Sequence, residues 1–174
     1  MQPVESAQTV LIADDDPGSL KILRETLRGL DFDIRIARDG KAAVDSALAL
    51  TPDMILLDIN MPVMNGYDAC AILKKDIRTR EVPVIFISGL NEPFNKIKAF
   101  ELGAVDYLTK PIHTAEAEAK ITIHIELRHR INELENFNKI MLDREMRIIE
   151  LKQEVNKLAS ELERPAPYPE IWEV

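Results

Sequence analysis

The sequence predicts an α/β fold built on a parallel sheet, and its alternation of segment types is the first reason. Five short apolar runs are separated by four stretches with helical periodicity, and a further helical stretch follows the last run. Strand-length runs joined by helix-length connections are typical of a parallel sheet with helices on both faces. The apolar runs are residues 9–13, 32–37, 54–58, 82–88 and 104–109.

The composition of the individual segments is the second reason. Residues 54–58 and 84–88 are almost wholly apolar, as strands buried on both faces should be. Leucines at positions 20, 23, 27 and 30 recur at helical spacing in the first connection. The four predicted helices cover residues 19–30, 41–50, 67–77 and 95–102.

Charge and composition limit the classes of partner. The chain has 174 residues and a formal net charge of −8, which argues against electrostatically driven binding of nucleic acid or an anionic membrane. We find no helix-turn-helix, no zinc finger and no basic groove in the sequence, so we expect no nucleic-acid partner. We also see no signal peptide and no apolar run long enough to cross a bilayer. One cysteine, Cys70, fits a buried thiol in a reducing compartment, and the expected location is cytoplasmic.

Polar residues stand at the ends of four predicted strands. Asp14 and Asp15 follow the first strand within the stretch LIADDDPG, and Asp58 ends the third. Ser88 ends the fourth strand and Lys110 follows the fifth. Right-handed crossovers place all the carboxyl ends of parallel strands along one edge, where ligands bind in such sheets. These five side chains are therefore expected to converge.

Clustered carboxylates must protonate, disperse or bind a cation. No histidine or cysteine lies near the strand ends, so all-oxygen ligation of Mg²⁺ or Mn²⁺ is the expected metal chemistry. Ser88 and Lys110 suit the oxygens of a phosphate, which would complete the coordination. Alternatively, one carboxylate is a nucleophile that accepts a phosphoryl group as an acyl phosphate.

Four motifs in register carry a family resemblance. LIADDDP, LLDINMPVMNG, FISG and GAVDYLTKP, in this order and spacing, closely resemble the receiver domain of bacterial two-component response regulators. The resemblance spans roughly residues 9–125. It implies a flavodoxin-like, doubly wound, five-stranded parallel sheet of order 2-1-3-4-5.

The resemblance also implies a role for each strand-end residue. Asp14, Asp15 and Asp58 would hold Mg²⁺, with Mn²⁺ as a possible substitute, and Asn60 would ligate it through its backbone carbonyl. Asp58 would accept a phosphoryl group from a histidine kinase or a phosphotransfer protein. Asp16 matches a variable position of the family and is expected to cap the helix that starts at Pro17.

The implied mechanism is a phosphorylation switch rather than a separate enzyme activity. Ser88 and Lys110 would contact the new phosphoryl group, and Tyr107 would rotate into the space that Ser88 vacates. The Lys110–Pro111 peptide bond corresponds to one that is cis in this family. The face formed by the fourth helix, fifth strand and fifth helix would then change its preference among partners.

The C-terminal third predicts a long helix over about residues 114–163. It contains no glycine after Ala115 and no proline before Pro165. Over residues 126–163 we predict a coiled coil, with a register slip of the stammer type near Asn136. The 3-4 pattern that defines this seam comprises Phe137, Met141, Arg144, Ile148, Leu151, Val155, Leu158 and Leu162.

A long helix with an apolar stripe needs a partner, and the simplest is a second copy in a parallel homodimer. Packing of the stripe against its own N-terminal domain, or against an absent domain, remains open. Residues 1–8 are expected to be flexible. Residues 164–174 form a proline-rich tail, expected to be disordered, with an extended docking motif around Tyr168 and Trp172 as the alternative.

Two further function hypotheses remain. The chain could be the N-terminal regulatory part of a larger signalling enzyme, either a hybrid histidine kinase or a cyclic-dinucleotide enzyme. It could also be a scaffold that works without phosphorylation, but the intact set of strand-end residues argues against this. His113, His124 and His129 are interpreted as ordinary helix or surface histidines.

Overall fold

The computed structural model describes residues 8–30, 32–89 and 96–168. The strands are β1 Gln8–Ala13, β2 Phe32–Ala37, β3 Met54–Asp58, β4 Val84–Gly89 and β5 Asp106–Lys110. The helices are α1 Pro17–Leu27, α2 Gly40–Ala49, α3 Gly66–Lys75, α4 Lys96–Glu101 and α5 Thr114–Glu161. Residues 1–7 of the expected flexible N-terminus and the start of the predicted fourth helix lie outside the described residues.

All five strands are parallel, and their order in the sheet is β2-β1-β3-β4-β5. The predicted flavodoxin-like order 2-1-3-4-5 is therefore confirmed. In this register Asp58 is opposite Ile87, and Gly89 is opposite Lys110. The carboxyl ends of β4 and β5 are therefore level with each other and extend two residues beyond the end of β3.

The sheet is covered on both faces, which explains the apolar strands. Side chains alternate along each strand, so one set faces α2, α3 and α4, and the other faces α1 and α5. Leu57 and Phe86 belong to the first face, while Ile12 and Leu56 belong to the second. Cys70 is buried in the first face, and burial raises the pKa of its thiol to about 11, which keeps it protonated.

Side-chain caps start three of the helices. Asp16 accepts hydrogen bonds from the Ser19 backbone N–H at 2.8 Å and from the Ser19 hydroxyl at 2.9 Å, and these bonds lower the pKa of the Asp16 carboxyl. The prediction that Asp16 is a cap is confirmed. Asp39 and Asn65 cap α2 and α3 in the same way.

Several element boundaries differ from the sequence prediction. Helix α1 ends at Leu27 rather than at Leu30, because the next turn tightens into bonds from Arg28 N–H to the Glu25 carbonyl and from Leu30 N–H to the Leu27 carbonyl. Strand β5 begins at Asp106, two residues later than predicted. The Lys110–Pro111 bond is cis, as the resemblance implied.

The chain divides into two compact units, Met1–Arg128 and His129–Val174, called the N-terminal and C-terminal units below. Helix α5 packs in the N-terminal unit through Ala117, Ile121 and Ile125. Within the described ranges, none of the helices has both the length and the apolar character needed to span a bilayer.

In the C-terminal unit, α5 is helical through Asn136 and ends at Glu161. The turn that follows has Glu163 at φ 55°, and the Arg164 N–H donates to the Ala159 carbonyl at 2.8 Å, which is the pattern of a Schellman motif. The seam residues remain exposed, and we keep the coiled coil and its stammer as predictions.

The first part of the tail takes a defined path. The Asn156 side-chain amide donates to the Tyr168 carbonyl at 2.9 Å, and its oxygen accepts from the Tyr168 N–H at 3.1 Å. This two-bond clamp folds residues 164–168 back along the helix, which differs from the expected disorder. Trp172 and the rest of residues 169–174 lie outside the described residues.

Candidate functional site

Strand alternation brings three charged side chains to one place at the sheet edge. Asp14 follows Val10 and Ile12 at every second position, so it lies on the same face of the sheet. Asp58, the last residue of β3, lies on the same face as Leu56. Lys110 ends β5 two residues after Leu108, so it has the same parity. All three therefore extend the apolar face that packs against α1 and α5.

The lysine contacts both carboxylates. Lys110 Nζ lies 2.7 Å from Asp58 Oδ2 and 3.0 Å from Asp14 Oδ2. Asp14 is fully buried and Asp58 is 3% exposed, whereas the Lys110 side chain keeps 26% exposure. One ammonium thus faces two buried carboxylates, which leaves a local excess of negative charge.

The pKa shifts follow from this arrangement. Burial is the largest effect at Asp58, and with the neighbouring Asp14 carboxylate it raises the Asp58 pKa to about 6, against the opposing hydrogen bond from Lys110. Burial also disfavours the charged form of Lys110. Its contacts with Asp58 and Asp14 outweigh that cost, so the Lys110 pKa is raised and the ammonium stays charged.

One buried oxygen at this site lacks a hydrogen-bond donor. Asp14 Oδ1 accepts from the Asp16 N–H at 2.8 Å. Asp14 Oδ2 is within ion-pair distance of Lys110 Nζ, but the geometry of this contact is not that of a hydrogen bond. Asp14 Oδ2 therefore has no hydrogen-bond donor. A buried carboxylate oxygen without a donor is costly, and a cation would relieve that cost.

The exposed Asp15 completes an oxygen-rich group. One carboxylate oxygen from each of Asp14, Asp15 and Asp58 lies within 4.8 Å of the others. Hard oxygen ligands with one open side suit Mg²⁺ or Mn²⁺ better than softer metals. Together with the unsatisfied oxygen of Asp14, this donor set fits the metal that the sequence implied.

The other predicted site residues lie nearby in the fold. Ser88, in β4, is 2% exposed and is opposite Thr109 in the β4–β5 register. Asn60 is exposed and follows the end of β3 by two residues. Tyr107 is partly buried and packs on the face formed with α2, α3 and α4.

Tyr107 is linked to two helices by lysines that the sequence did not single out. Its hydroxyl accepts a hydrogen bond from Lys96 of α4 at 2.5 Å. Lys120 of α5 donates to the Tyr107 carbonyl at 2.6 Å and to the Asp106 carboxylate at 3.0 Å. His124 Nε2 lies 3.4 Å from the same carboxylate. The residue pattern alone gave no signal for this network, because its members lie on three different elements.

The loop after β3 was also missed. Val63 has φ 65°, an uncommon and strained backbone conformation for a β-branched residue. Gly66 approaches the acceptor strand so closely that a Cβ there would lie 2.2 Å from the Asp58 carbonyl oxygen. The Asn-Gly pair at residues 65–66 is a turn signal from which this close approach could have been predicted.

Comparison with known proteins agrees with this geometry. The family model of the response regulator receiver domain matches residues 10–122. A solved receiver domain of a signal transduction histidine kinase from Syntrophus aciditrophicus is 32% identical, with a TM-score of 0.62. That match covers 69% of this chain and 91% of the solved one.

Two longer proteins are also similar. The DNA-binding dual master transcriptional regulator RpaA of Synechocystis is 33% identical over 76% of this chain and 55% of its own length. A Vibrio cholerae protein named "Probable cyclic di-GMP phosphodiesterase" is 33% identical over 90% of this chain and 33% of its own length. This chain therefore spans about a third to a half of these relatives. It belongs to the response regulator receiver domain family, the phosphorylation-controlled part of two-component systems.

Proposed function

We propose that Asp58 is the phosphoryl acceptor of this receiver, with Lys110 and Ser88 as the residues that stabilise the phosphorylated state. The observation that carries the proposal is the contact of Lys110 with both buried carboxylates, which at Asp14 is made to the oxygen that lacks a hydrogen bond. A buried anionic cluster with one partly exposed cation is better suited to receiving a phosphoryl group than to stabilising the fold.

In the transfer, an Asp58 carboxylate oxygen attacks the phosphorus of a phosphohistidine. The P–N bond breaks, the electron pair leaves with the imidazole, and an acyl phosphate forms on Asp58. The donor is a histidine kinase or a phosphotransfer protein. With a pKa of about 6, Asp58 is roughly nine-tenths ionised at pH 7, so it is available as the nucleophile.

Lys110 and Ser88 act on the product. The ammonium of Lys110 can follow the charge from the carboxylate to the phosphoryl oxygens, because its side chain is long and keeps partial exposure. The Ser88 hydroxyl would donate to another phosphoryl oxygen from the end of β4. Asp14, Asp15, Asp58 and the Asn60 carbonyl would hold Mg²⁺ or Mn²⁺, which when bound supplies neutralisation of the phosphoryl charge.

Phosphorylation would change the surface of the domain through a change in the conformation of Tyr107. Movement of Ser88 toward the phosphoryl group opens space beside Tyr107, whose rotation breaks its hydrogen bond from Lys96 of α4. The phosphoryl group shifts this equilibrium only by its different interaction free energies with the two states.

The C-terminal unit is proposed to form a parallel dimer through its seam. Leu151, Val155 and Leu158 are 42–51% exposed, which is unfavourable for a stripe of large apolar side chains in water. A second copy offers the same stripe with the same spacing. The chain itself would then be a phosphorylation-controlled dimer rather than an enzyme.

A second candidate is a regulatory segment of a longer signalling enzyme. The match to the Vibrio cholerae protein covers 90% of this chain and so extends past residue 122, where the receiver family model ends. Similarity therefore includes part of α5 beyond the receiver core. Reading the gene past the codon for Val174 separates the two candidates: an open frame that encodes a catalytic domain favours the longer enzyme.

The acceptor is tested by substitution. Incubation with radiolabelled acetyl phosphate and Mg²⁺ should label the wild-type chain, while Asp58→Asn should reduce labelling to background. Asp45→Asn is the matched control, because Asp45 is an exposed α2 residue paired with Lys41 and should label normally. Wild-type labelling of Asp58→Asn would show that another residue is the acceptor.

A further inference from the structure

A groove between α1 and the edge strand β2 is unrelated to the acceptor chemistry. It encloses about 770 Å³, and its floor is apolar, formed mainly by Leu20, Phe32, Ile34 and Ile36. Ile36, the next-to-last residue of β2, is 41% exposed, and Phe32 and Ile34 on the same face are only partly buried. An open apolar floor of this size is typical of a binding surface.

The rim of the groove is basic. Lys21, Arg24, Arg28 and Arg38 line it together with one acid, Glu25, which gives a local charge of +3 from four cations minus one anion. The chain as a whole carries −8. The expectation that the chain has no basic groove is therefore wrong, because packing of α1 on β2 gathers cations that are dispersed in the sequence.

These cations lack the partners that other cations of the N-terminal unit have. Elsewhere among the described residues of this unit, lysines and arginines make ion pairs, donate to carbonyls or stack on aromatic rings. Only five have no such contact to a described residue. They are the four rim residues and Lys75 of α3.

The rim cations are neighbours on one side of α1. Lys21 and Arg24 are three residues apart in the helix and Arg28 is its C-cap, with Glu25 as the one acid among them. An anionic partner would balance the remaining positive charge. Charge complementarity thus indicates an acidic occupant.

The edge strand indicates the form of that occupant. Among the described residues, β2 pairs only with β1, so the outer edge of its backbone is open to an added strand. Alternate residues Phe32, Ile34 and Ile36 would receive alternate side chains of that strand. We propose that the groove binds an acidic segment of a partner protein in extended conformation, with apolar side chains at alternate positions, added beside β2.

The probe is a fluorescein-labelled peptide of alternating glutamate and valine, titrated with the full chain and followed by anisotropy. We expect saturable binding that weakens with added salt. Arg24→Glu should weaken binding at least tenfold. Lys75→Glu makes the same charge change at a cation outside the groove and should alter binding less than twofold. No saturable binding, or equal weakening by both variants, would overturn the proposal.

Two companion measurements test the form of the occupant. A peptide N-methylated at alternate residues cannot pair along one edge, so it should bind at least tenfold more weakly; undiminished binding would refute strand addition. A lysine–valine peptide should bind the Arg24→Glu/Arg28→Glu variant better than it binds the wild type. If phosphatidylglycerol vesicles or a single-stranded oligodeoxynucleotide bind the groove more tightly than the acidic peptide, the partner class is wrong.

Discussion

The two units of this chain place their apolar and charged residues in opposite ways. The N-terminal unit has a core of fully buried large side chains, such as Leu57 and Phe86, and also buries the charged Asp14 and Asp58. In the C-terminal unit, the described apolar residues that form the predicted seam are all at least 38% exposed. Its charged residues lie at the surface in local pairs such as Arg147 with Glu150.

The two units therefore differ in where their apolar side chains find packing partners. The N-terminal unit packs two core clusters of its own, one on each face of the sheet, and this framework can hold charged groups in an unfavourable arrangement that is available for chemistry. The C-terminal unit satisfies its backbone through helical hydrogen bonds but leaves its apolar stripe open. Such a stripe favours packing against a second surface, which in the proposed dimer is a copy of the same helix.

The largest expected effect comes from placing charges in the apolar seam of the C-terminal unit. Leu151→Asp/Val155→Asp places two charges per chain in the seam, and we expect the dimer to dissociate with a loss of affinity of roughly 10⁴-fold or more, because unpaired buried charges cost several kcal/mol. Light scattering should report half the wild-type molar mass.

The control for the seam uses residues outside the 3-4 pattern. Leu142→Asp/Met146→Asp changes two exposed apolar residues of the same helix, at 60% and 62% exposure, and should leave the molar mass at the dimer value. A wild-type chain that is monomeric at all concentrations would refute the proposed dimer.

The next effect concerns the charged cluster of the N-terminal unit. Lys110→Ala removes the cation that contacts Asp58 and Asp14. We expect acyl phosphate formation to slow by roughly 10²- to 10³-fold, the usual cost of losing one positioned charged donor. Quenched-flow labelling measures the rate, and Lys75→Ala should match wild type. A less than threefold change would mean that Lys110 has no part in the transfer.

The smallest effect is a pH dependence of stability. Burial raises the Asp58 pKa to about 6, above the ordinary value of 3.8, so the ionised carboxylate destabilises the folded state. Relative to Asp58→Asn, the wild type should be equally stable below about pH 4 and should lose about 2–3 kcal/mol as the pH rises through 6.

That difference is measured by urea unfolding in the presence of a chelator, so that no metal offsets the charge. The gap between the two proteins should be constant above about pH 7. A gap that is independent of pH would mean that Asp58 is not desolvated in the folded state.

Much of the fold could be predicted because its signals are local. The apolar runs and helical spacings give the order of elements, and strand polarity then places Asp58, Ser88 and Lys110 at one edge. The cap role of Asp16 was also readable, since it precedes Pro17 at a helix start. Boundaries were less accurate, as at the end of α1, because tertiary packing decides the last turn.

The features that were missed depend on residues that are distant in sequence. The basic groove combines α1 with β2 and Arg38, and the Tyr107 network combines α4, β5 and α5. The strained φ of Val63 has no signal in its residue type, which disfavours that conformation. The hydrogen bonds between Asn156 and Tyr168 could be predicted only if the reversal of the tail were already known.

The assignment of Asp58 is tested most directly by chemical trapping. Borohydride reduces an aspartyl phosphate to homoserine with release of phosphate, so it marks the acceptor covalently. After treatment with acetyl phosphate, Mg²⁺ and borohydride, peptide mass spectrometry should find homoserine at position 58 and unmodified aspartate at positions 14 and 15. Homoserine at position 14 or 15, or at none of the three, would contradict the account.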